Sequence, residues 1–128
     1  MQLLVDTHAL LWWLSKNPSL SQRARNAMAE TSNELLVSAA SAWEIATKVR
    51  LGKLPGAEEL AADFAGFMLR EGFSSLDITA KHAVRAGLLA GPLKDPFDRM
   101  LIAQAQTENL PIVTNERAFE TYGVRRVW

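Results

Sequence analysis

Four acidic residues stand at positions where functional groups gather in α/β proteins. Asp6 and Glu116 each follow a short apolar run, whereas Glu44 and Asp98 fall in the first turn of a predicted helix. If the apolar runs form neighbouring parallel strands, the residues that follow them meet at the carboxyl edge of one sheet. The spacing therefore predicts that these four carboxylates converge.

Converging carboxylates need a neutralising partner. Two unit charges of the same sign about 4 Å apart repel by about 4 kcal/mol at an effective dielectric near 20. A helix dipole stabilises each carboxylate by only about 0.3–1 kcal/mol. A divalent cation or large pKa shifts would resolve this conflict. Because the chain has no cysteine and only 2 histidines, oxygen ligands dominate, and Mg²⁺ or Mn²⁺ is favoured over Zn²⁺. Such an ion would suit hydrolysis of a phosphodiester.

Each acid also has a purely structural explanation. Asp6 can cap the helix that follows it, and Asp95 is a typical N-cap ahead of Pro96. Residues 41–44 fit the capping-box pattern. Glu116 can simply favour a helix dipole. Taken singly, each acid is therefore explained by capping, and only their combination points to a cation site.

Short apolar runs alternate with amphipathic segments, which predicts an α/β fold with a parallel sheet covered on both faces. The predicted strands are residues 2–5, 35–38, 73–76, 111–113 and 124–127. The predicted helices are residues 8–15, 21–31, 41–49, 58–69, 79–89 and 95–107.

Composition limits the class of protein. The chain has 128 residues, 48% apolar and 22% charged, with a formal net charge of zero. It is therefore expected to form one domain, and any site for a polyanion must be a local patch. The start lacks a basic signal-peptide region, and the longest apolar run, Ala9–Leu14, is too short to span a bilayer. These features, with the absence of cysteine, predict a cytoplasmic protein.

Four ordered segments of the chain resemble the motifs of the PIN-domain ribonucleases, and within them the VapC toxins of toxin–antitoxin pairs. The segments are Leu3–Trp12, Ser38–Lys48, Asp95–Ala105 and Ile112–Phe119. The third, DPFDRMLIAQA, matches its motif closely, and the four together span nearly the whole chain in the family's order.

The resemblance implies a fold and a function. The fold is a PIN-like three-layer α/β/α domain over residues 1–128, with a central, mostly parallel sheet of four to five strands. The function is that of an endoribonuclease that depends on Mg²⁺ or Mn²⁺ and cleaves single-stranded or looped RNA. Homodimers are also implied, as is inhibition by a VapB-type antitoxin whose C-terminal segment covers the active site.

The resemblance also assigns site residues. Asp6, Glu44 and Asp98 match the family's core acids. Glu116 matches a fourth acidic position, where Asp is the usual residue, and its extra methylene puts direct contact with the metal in question. Asp95 and Thr114 belong to the same motifs, but capping or the strand end explains each of them equally well.

Basic residues lie close to two of the acids. Lys48, Arg50 and Lys53 follow Glu44 and could grip RNA phosphates; the alternative is a solvated helix end whose cations complement the dipole. Arg99 adjoins an acid and could either reach the substrate or form an ion pair, and we expect the ion pair.

Trp12 and Trp13 lie in a helix that is apolar almost all round. Such a helix is buried on more than one side, which predicts a surface for a second copy or an antitoxin. The alternative is that one indole fills the core and the other is partly exposed. Trp43 and Trp128 are expected in the core.

Two other functions compete with the ribonuclease. A catalytically silent PIN-like module that only binds RNA or protein is suggested by the unusual Glu116. A phosphoryl-transfer domain would use Asp6 as its nucleophile; however, a haloacid-dehalogenase-like enzyme needs a second Asp where this chain has His8, and the residues of a receiver domain are missing.

Overall fold

The computed structural model describes residues 1–128. Its strands are β1 (Gln2–Val5), β2 (Glu34–Ser38), β3 (Ser74–Leu76), β4 (Ile112–Val113) and β5 (Arg126–Val127). Its α-helices are α1 (Thr7–Leu14), α2 (Gln22–Ala29), α3 (Ala39–Arg50), α4 (Glu58–Ala62), α5 (Phe64–Arg70), α6 (Ala80–Leu88) and α7 (Pro96–Glu108), and a 3₁₀ helix covers Arg117–Tyr122. No helix combines the length and the apolar character needed to cross a membrane.

The strands form one sheet in the order β3-β2-β1-β4-β5, and every neighbouring pair is parallel. The central strand β1 pairs with β2 on one side and with β4 on the other. The chain order reverses at this point, and such switch points form a crevice at the carboxyl ends of the strands. The predicted mostly parallel sheet of four to five strands is confirmed, with all five strands parallel.

Alternate residues of β1 face opposite layers, as the two-residue period of a strand requires. Leu3 and Val5 pack into a buried cluster with residues of α1 to α5. Leu4 packs on the other face with Leu101 of α7 and Phe119 of the 3₁₀ helix, and α6 lies beside α7. The sheet is thus enclosed between two helical layers, which confirms the three-layer α/β/α prediction.

The helix predicted at residues 58–69 is divided in two. Asp63 leaves the helical conformation, with φ −141° and ψ 54°, and its carboxylate accepts a hydrogen bond from the Gly66 N–H at 3.3 Å. Asp favours such caps over helix interiors. A Cβ on Gly66 would clash with the Asp63 carboxylate, so this cap depends on glycine. Apolar periodicity alone does not reveal this break.

Helix α3 begins two residues before its predicted start. Ser38, not Ser41, is the N-cap, and its hydroxyl accepts a hydrogen bond from the Ala40 N–H at 3.0 Å. The predicted capping box at residues 41–44 is therefore wrong, and Glu44 lies in the second helical turn rather than the first. Its carboxylate is consequently free of any capping role and available to the site.

Candidate active site

Asp6 stands directly after β1 at the centre of the sheet. Its carboxylate accepts a hydrogen bond of 2.7 Å from the Ala9 N–H and so caps α1, as predicted. The residue is only 4% exposed. Burial raises the pKa of Asp6, while a hydrogen bond from the Thr114 side chain opposes that rise. Asp6 is thus both a cap and an acid at the sheet edge.

The N-terminus of α7 presents Asp98 toward the same edge. Asp95 caps this helix, accepting hydrogen bonds from the N–H groups of Phe97 at 2.8 Å and Asp98 at 3.1 Å. Desolvation by burial raises the pKa of Asp98 to about 7, with further contributions from surrounding acids. Those acids are, in decreasing order of effect, Asp95, Glu44, Glu116 and Asp6.

The charges of these four acids each raise the pKa of Asp98, which indicates that all four lie in its neighbourhood. The structure therefore places Asp6, Glu44 and Glu116 near Asp98, in agreement with their spacing, and it adds Asp95, whose charge affects Asp98 most. These five residues are called the acidic edge below.

Glu44 is held in place by a lysine from its own helix. Its side chain is 6% exposed, and its carboxylate lies 2.6 Å from the Lys48 ammonium, which is 34% exposed. Behind it, the Thr7 hydroxyl donates to the Ser41 hydroxyl at 2.9 Å, which joins α1 to α3 within the core. The helix that carries Glu44 is therefore fixed against the helix that follows Asp6.

Thr114 and Glu116 follow β4, the strand beside β1. The Thr114 hydroxyl is buried and accepts a hydrogen bond from the Glu116 N–H at 3.0 Å. Glu116 itself is exposed, and its carboxylate caps no helix. Glu116 nevertheless stands at the N-terminus of the 3₁₀ helix, where its negative charge favours the helix dipole, and its side chain is open to solvent.

The acidic edge has the chemistry of a site for a hard divalent cation. No three acidic or histidine side chains are arranged to hold an ion directly between them. Mg²⁺ usually keeps several waters and takes only one or two carboxylates from a protein. The carboxylates around Asp98 outnumber the nearby cationic side chains. This arrangement suits an ion that keeps part of its water shell better than an ion coordinated by protein atoms alone.

The basic residues near the acids differ in their surroundings. Arg50 and Lys53 are exposed at the end of α3, whereas Lys48 is committed to Glu44. The expected ion pair of Arg99 is wrong. Its guanidinium donates instead to backbone carbonyls at the end of α6 and in the following loop, those of Ala86, Gly87, Leu89 and Leu93. An RNA contact by Arg99 stays a prediction, and the structure gives this side chain a role in joining α7 to α6.

The tryptophans are placed differently from expectation in one case. Trp12, Trp13 and Trp128 are half-buried and pack against the core, and the Trp12 ring lies 5.8 Å from that of Trp128. A partner surface on Trp12 and Trp13 stays a prediction. The core position expected for Trp43 is wrong: the residue is 60% exposed, because the face of α3 that packs inward carries Ala40, Ser41, Glu44 and Ile45 instead.

The chain matches known proteins along most of its length. The sequence profile of the PIN domain matches residues 3–124. A 63-residue stretch is 41% identical to "Ribonuclease VapC16" of Mycobacterium tuberculosis, and it covers 49% of this chain and 45% of that protein. "Ribonuclease VapC22" of the same organism is 29% identical over 122 residues, covering 93% of this chain and 90% of that protein.

Solved structures share the fold at low sequence identity. VapBC2 from Rickettsia felis, bound to a DNA fragment from its promoter, contains a chain with TM-score 0.72 and 20% identity, covering 98% of this chain and 97% of that chain. A chain of VapBC-1 from nontypeable Haemophilus influenzae gives TM-score 0.69 and 15% identity, with coverage of 98% and 96%. Because the profile match covers nearly the whole sequence and the fold agrees, this chain belongs to the PIN domain family.

Proposed function

We propose that the chain is a metal-dependent endoribonuclease of the VapC toxin type, built as one PIN-like domain over residues 1–128. The observation that carries the proposal is the clustering of acids around Asp98 at the switch point of the sheet. The two curated relatives are both named as ribonucleases, which supports RNA as the substrate.

Asp6, Glu44 and Asp98 are the residues that would hold a hydrated divalent ion, Mg²⁺ or Mn²⁺, in part through its waters, with Glu116 contributing directly or through water. The ion, when bound, supplies Lewis acidity at the phosphate. The donor set supports this assignment, because carboxylate oxygens suit hard cations. It also explains how the chain tolerates like charges that repel each other in a partly buried site.

The surrounding residues position these acids. Thr114 lies beside Asp6 and lowers its pKa, and Lys48 holds the Glu44 carboxylate while no metal ion is bound. Asp95 holds the first turn of α7, from which Asp98 projects. Fixed carboxylates of this kind orient a water for attack on the phosphorus atom, since preorganised geometry lowers the entropic part of the barrier.

The substrate is single-stranded or looped RNA. A folded duplex buries its base edges in grooves that side chains read poorly, whereas a single strand can splay its bases onto a protein surface. Arg50 and Lys53 are exposed at and just beyond the end of α3, the helix that carries Glu44, and would bind phosphates of the RNA strand. Such an enzyme would act in the cytoplasm, where cellular RNA is found.

The partners are a VapB-like antitoxin and a second copy of the chain. Structures described as VapBC complexes share this fold, which supports an antitoxin partner. The apolar helix α1, with Trp12 and Trp13 half-exposed on it, is the surface that we assign to these contacts. Light scattering of the purified chain checks the dimer, and coelution with a VapB-type protein from the same genome checks the antitoxin.

The decisive experiment is cleavage of pooled cellular RNA by the purified protein with Mg²⁺, Mn²⁺ or EDTA, beside the Asp6→Asn variant. We expect cuts at few positions that require the metal and disappear in the variant. Absence of cuts with either ion, from protein freed of antitoxin by denaturation and refolding, would contradict the proposal. Retention of RNA without cleavage would instead identify a silent binding module.

A further inference from the structure

Trp43 is the exposed aromatic residue nearest in sequence to the acidic edge. It is 60% exposed, although large aromatic side chains are usually mostly buried. Its ring makes an edge contact with Phe97, at 4.9 Å between centroids and an interplanar angle of 78°. A T-shaped contact of this kind holds the indole in one orientation without covering both of its faces.

Each residue of this aromatic pair is adjacent in sequence to one of the acids of the site. Trp43 immediately precedes Glu44 on α3, and Phe97 immediately precedes Asp98 on α7. The contact between the two rings therefore joins the helices that carry two of the acids. Beside it lies a shallow pocket of about 220 Å³, lined largely by apolar residues such as Ala83, Pro96 and Met100.

The outward face of α3 extends this surface. Ala39, Trp43, Ala46 and Arg50 recur at the spacing of one helical face, and all four are exposed. The small alanines leave space on both sides of the indole. Arg50 lies about 10 Å further along the helix axis, from the rise of 1.5 Å per residue. An aromatic platform is thus followed by a cation on a single accessible face.

We propose that Trp43, braced by Phe97, is a stacking platform for an unpaired base next to the scissile phosphate, and that Arg50 binds the backbone of the same strand. The inference rests on the proposed ribonuclease function. RNA is favoured over a protein partner because a flat exposed ring, a cation in line with it and a hydrolytic site beside it match what a single strand offers. Trp43 would thereby position the RNA and influence where it is cut.

The test uses binding separately from cleavage. In an Asp98→Asn background, a fluorescent single-stranded RNA that the unmodified protein cuts is titrated with protein carrying Trp43→Leu or Trp43→Phe. Loss of base stacking is expected to weaken affinity about five- to hundredfold for Trp43→Leu, with much of it retained for Trp43→Phe. Leu69→Ala is the matched control, because Leu69 is 80% exposed on α5, away from α3.

A second arm distinguishes stacking from general damage. The same RNA is made with a single abasic ribose, moved one position at a time past the cut site. At one position the abasic RNA should bind the Trp43 protein and the Trp43→Leu variant equally, because the partner of the indole is gone. Thermal unfolding of each variant verifies that it is folded.

The outcomes separate this inference from the proposed function. If the protein cuts RNA but Trp43→Leu binds and cuts normally, the stacking role alone is overturned. The stacking role is likewise overturned if Trp43→Leu weakens the binding of every abasic RNA equally. If the protein neither binds nor cuts RNA, both proposals fail.

Discussion

The Lys48 ammonium lies 2.6 Å from the Glu44 carboxylate, one helical turn away on α3. The acidic edge therefore contains one acid that is neutralised from within the chain, while Asp98 retains an unmatched excess of negative neighbours. A cation that enters the site competes with Lys48 for Glu44. We therefore assign Lys48 to stabilising the metal-free protein rather than to binding RNA.

Replacing Lys48 tests this assignment. In Lys48→Met the almost fully buried Glu44 carboxylate loses its partner, and we expect the free energy of unfolding without metal to fall by about 1–3 kcal/mol. Added Mg²⁺ should recover most of that loss, because the cation replaces the Lys48 ammonium as the partner of the Glu44 carboxylate. Urea unfolding with EDTA and with Mg²⁺ measures both effects.

The matched control is Lys53→Met, which removes an exposed lysine near the end of the same helix and should change stability by less than about 0.5 kcal/mol. Unchanged stability of Lys48→Met, together with weaker RNA binding, would instead assign Lys48 to phosphate contact.

The raised pKa of Asp98 makes the metal-free protein sensitive to pH. Its value is about 7 in the folded chain against an ordinary 3.8, so the folded state binds more protons than the unfolded state between these values. Stability therefore falls as pH rises from about 4 to 7, and this contribution is constant above that window. Asp98→Asn removes the contribution of Asp98 and leaves that of Asp6, whose pKa is also raised. The variant should be more stable at pH 8 by about 1–2 kcal/mol, a figure reduced because water screens part of the repulsion.

Thermal melts of both proteins in EDTA from pH 5 to 8 check this expectation, and cleavage by Asp98→Asn should be abolished throughout. With saturating Mg²⁺ the unmodified protein should gain stability at pH 8, whereas the variant should gain little. A variant that is less stable than the unmodified protein at pH 8 would contradict electrostatic crowding at the acidic edge.

Asp6 combines two roles that different substitutions separate. Asn caps helices about as well as Asp, so Asp6→Asn should retain the bond from the Ala9 N–H while cleavage is lost. Asp6→Ala loses the cap as well, and its stability should be lower than that of Asp6→Asn by about 0.5–2 kcal/mol. Equal stability of the two variants in chemical denaturation would argue against the capping bond.

Arg99 is expected to act on stability rather than on RNA. Its guanidinium donates to carbonyls at the end of α6 and in the following loop, including that of Leu93 at 2.8 Å, and bonds from charged donors contribute about 1.5–3 kcal/mol. Arg99→Met should lower the free energy of unfolding by about 2–3 kcal/mol, whereas Arg23→Met, at an exposed arginine of α2, should change it little. In the Asp98→Asn background, we expect Arg99→Met to leave the RNA affinity unchanged. A lowered affinity would show that Arg99 contacts the RNA.

Much of the fold follows from local patterns in the sequence. Alternating apolar runs and helices fix the order of elements, and the Asp95–Pro96 pair marks the start of α7 by the same capping bonds that the structure contains. The convergence of Asp6, Glu44 and Glu116 also follows, because parallel strands place the residues after them at a common edge. Asp98 joins them from α7, which follows α6 rather than a strand. These features depend on neighbours in the chain or on sheet topology alone.

Other features depend on competition that a pattern does not reveal. Ser38 and Ser41 are both good N-caps; in the structure Ser38 caps α3, whereas the Ser41 hydroxyl is bonded to Thr7 in the core. That two-residue difference moves Glu44 out of the first turn. Trp43 is outside the core for another reason, because the inward face of α3 carries Ala40, Ser41, Glu44 and Ile45. The role of Arg99 is likewise invisible to a local pattern, because the carbonyls that it binds belong to α6 and the loop after it.

Glu116 lies at the open side of the acidic edge, where its family position usually carries Asp. Being exposed and free of capping, its longer side chain should reach a bound ion through water rather than directly. Glu116→Ala is therefore expected to retain measurable cleavage, with a higher Mg²⁺ requirement, while Asp6→Asn and Asp98→Asn retain none. Cleavage rates over a Mg²⁺ titration make the comparison, with Glu116→Asp as the control for carboxylate reach. A loss for Glu116→Ala as complete as that for Asp98→Asn would identify Glu116 as a direct ligand, because an outer contact that water can replace does not abolish activity.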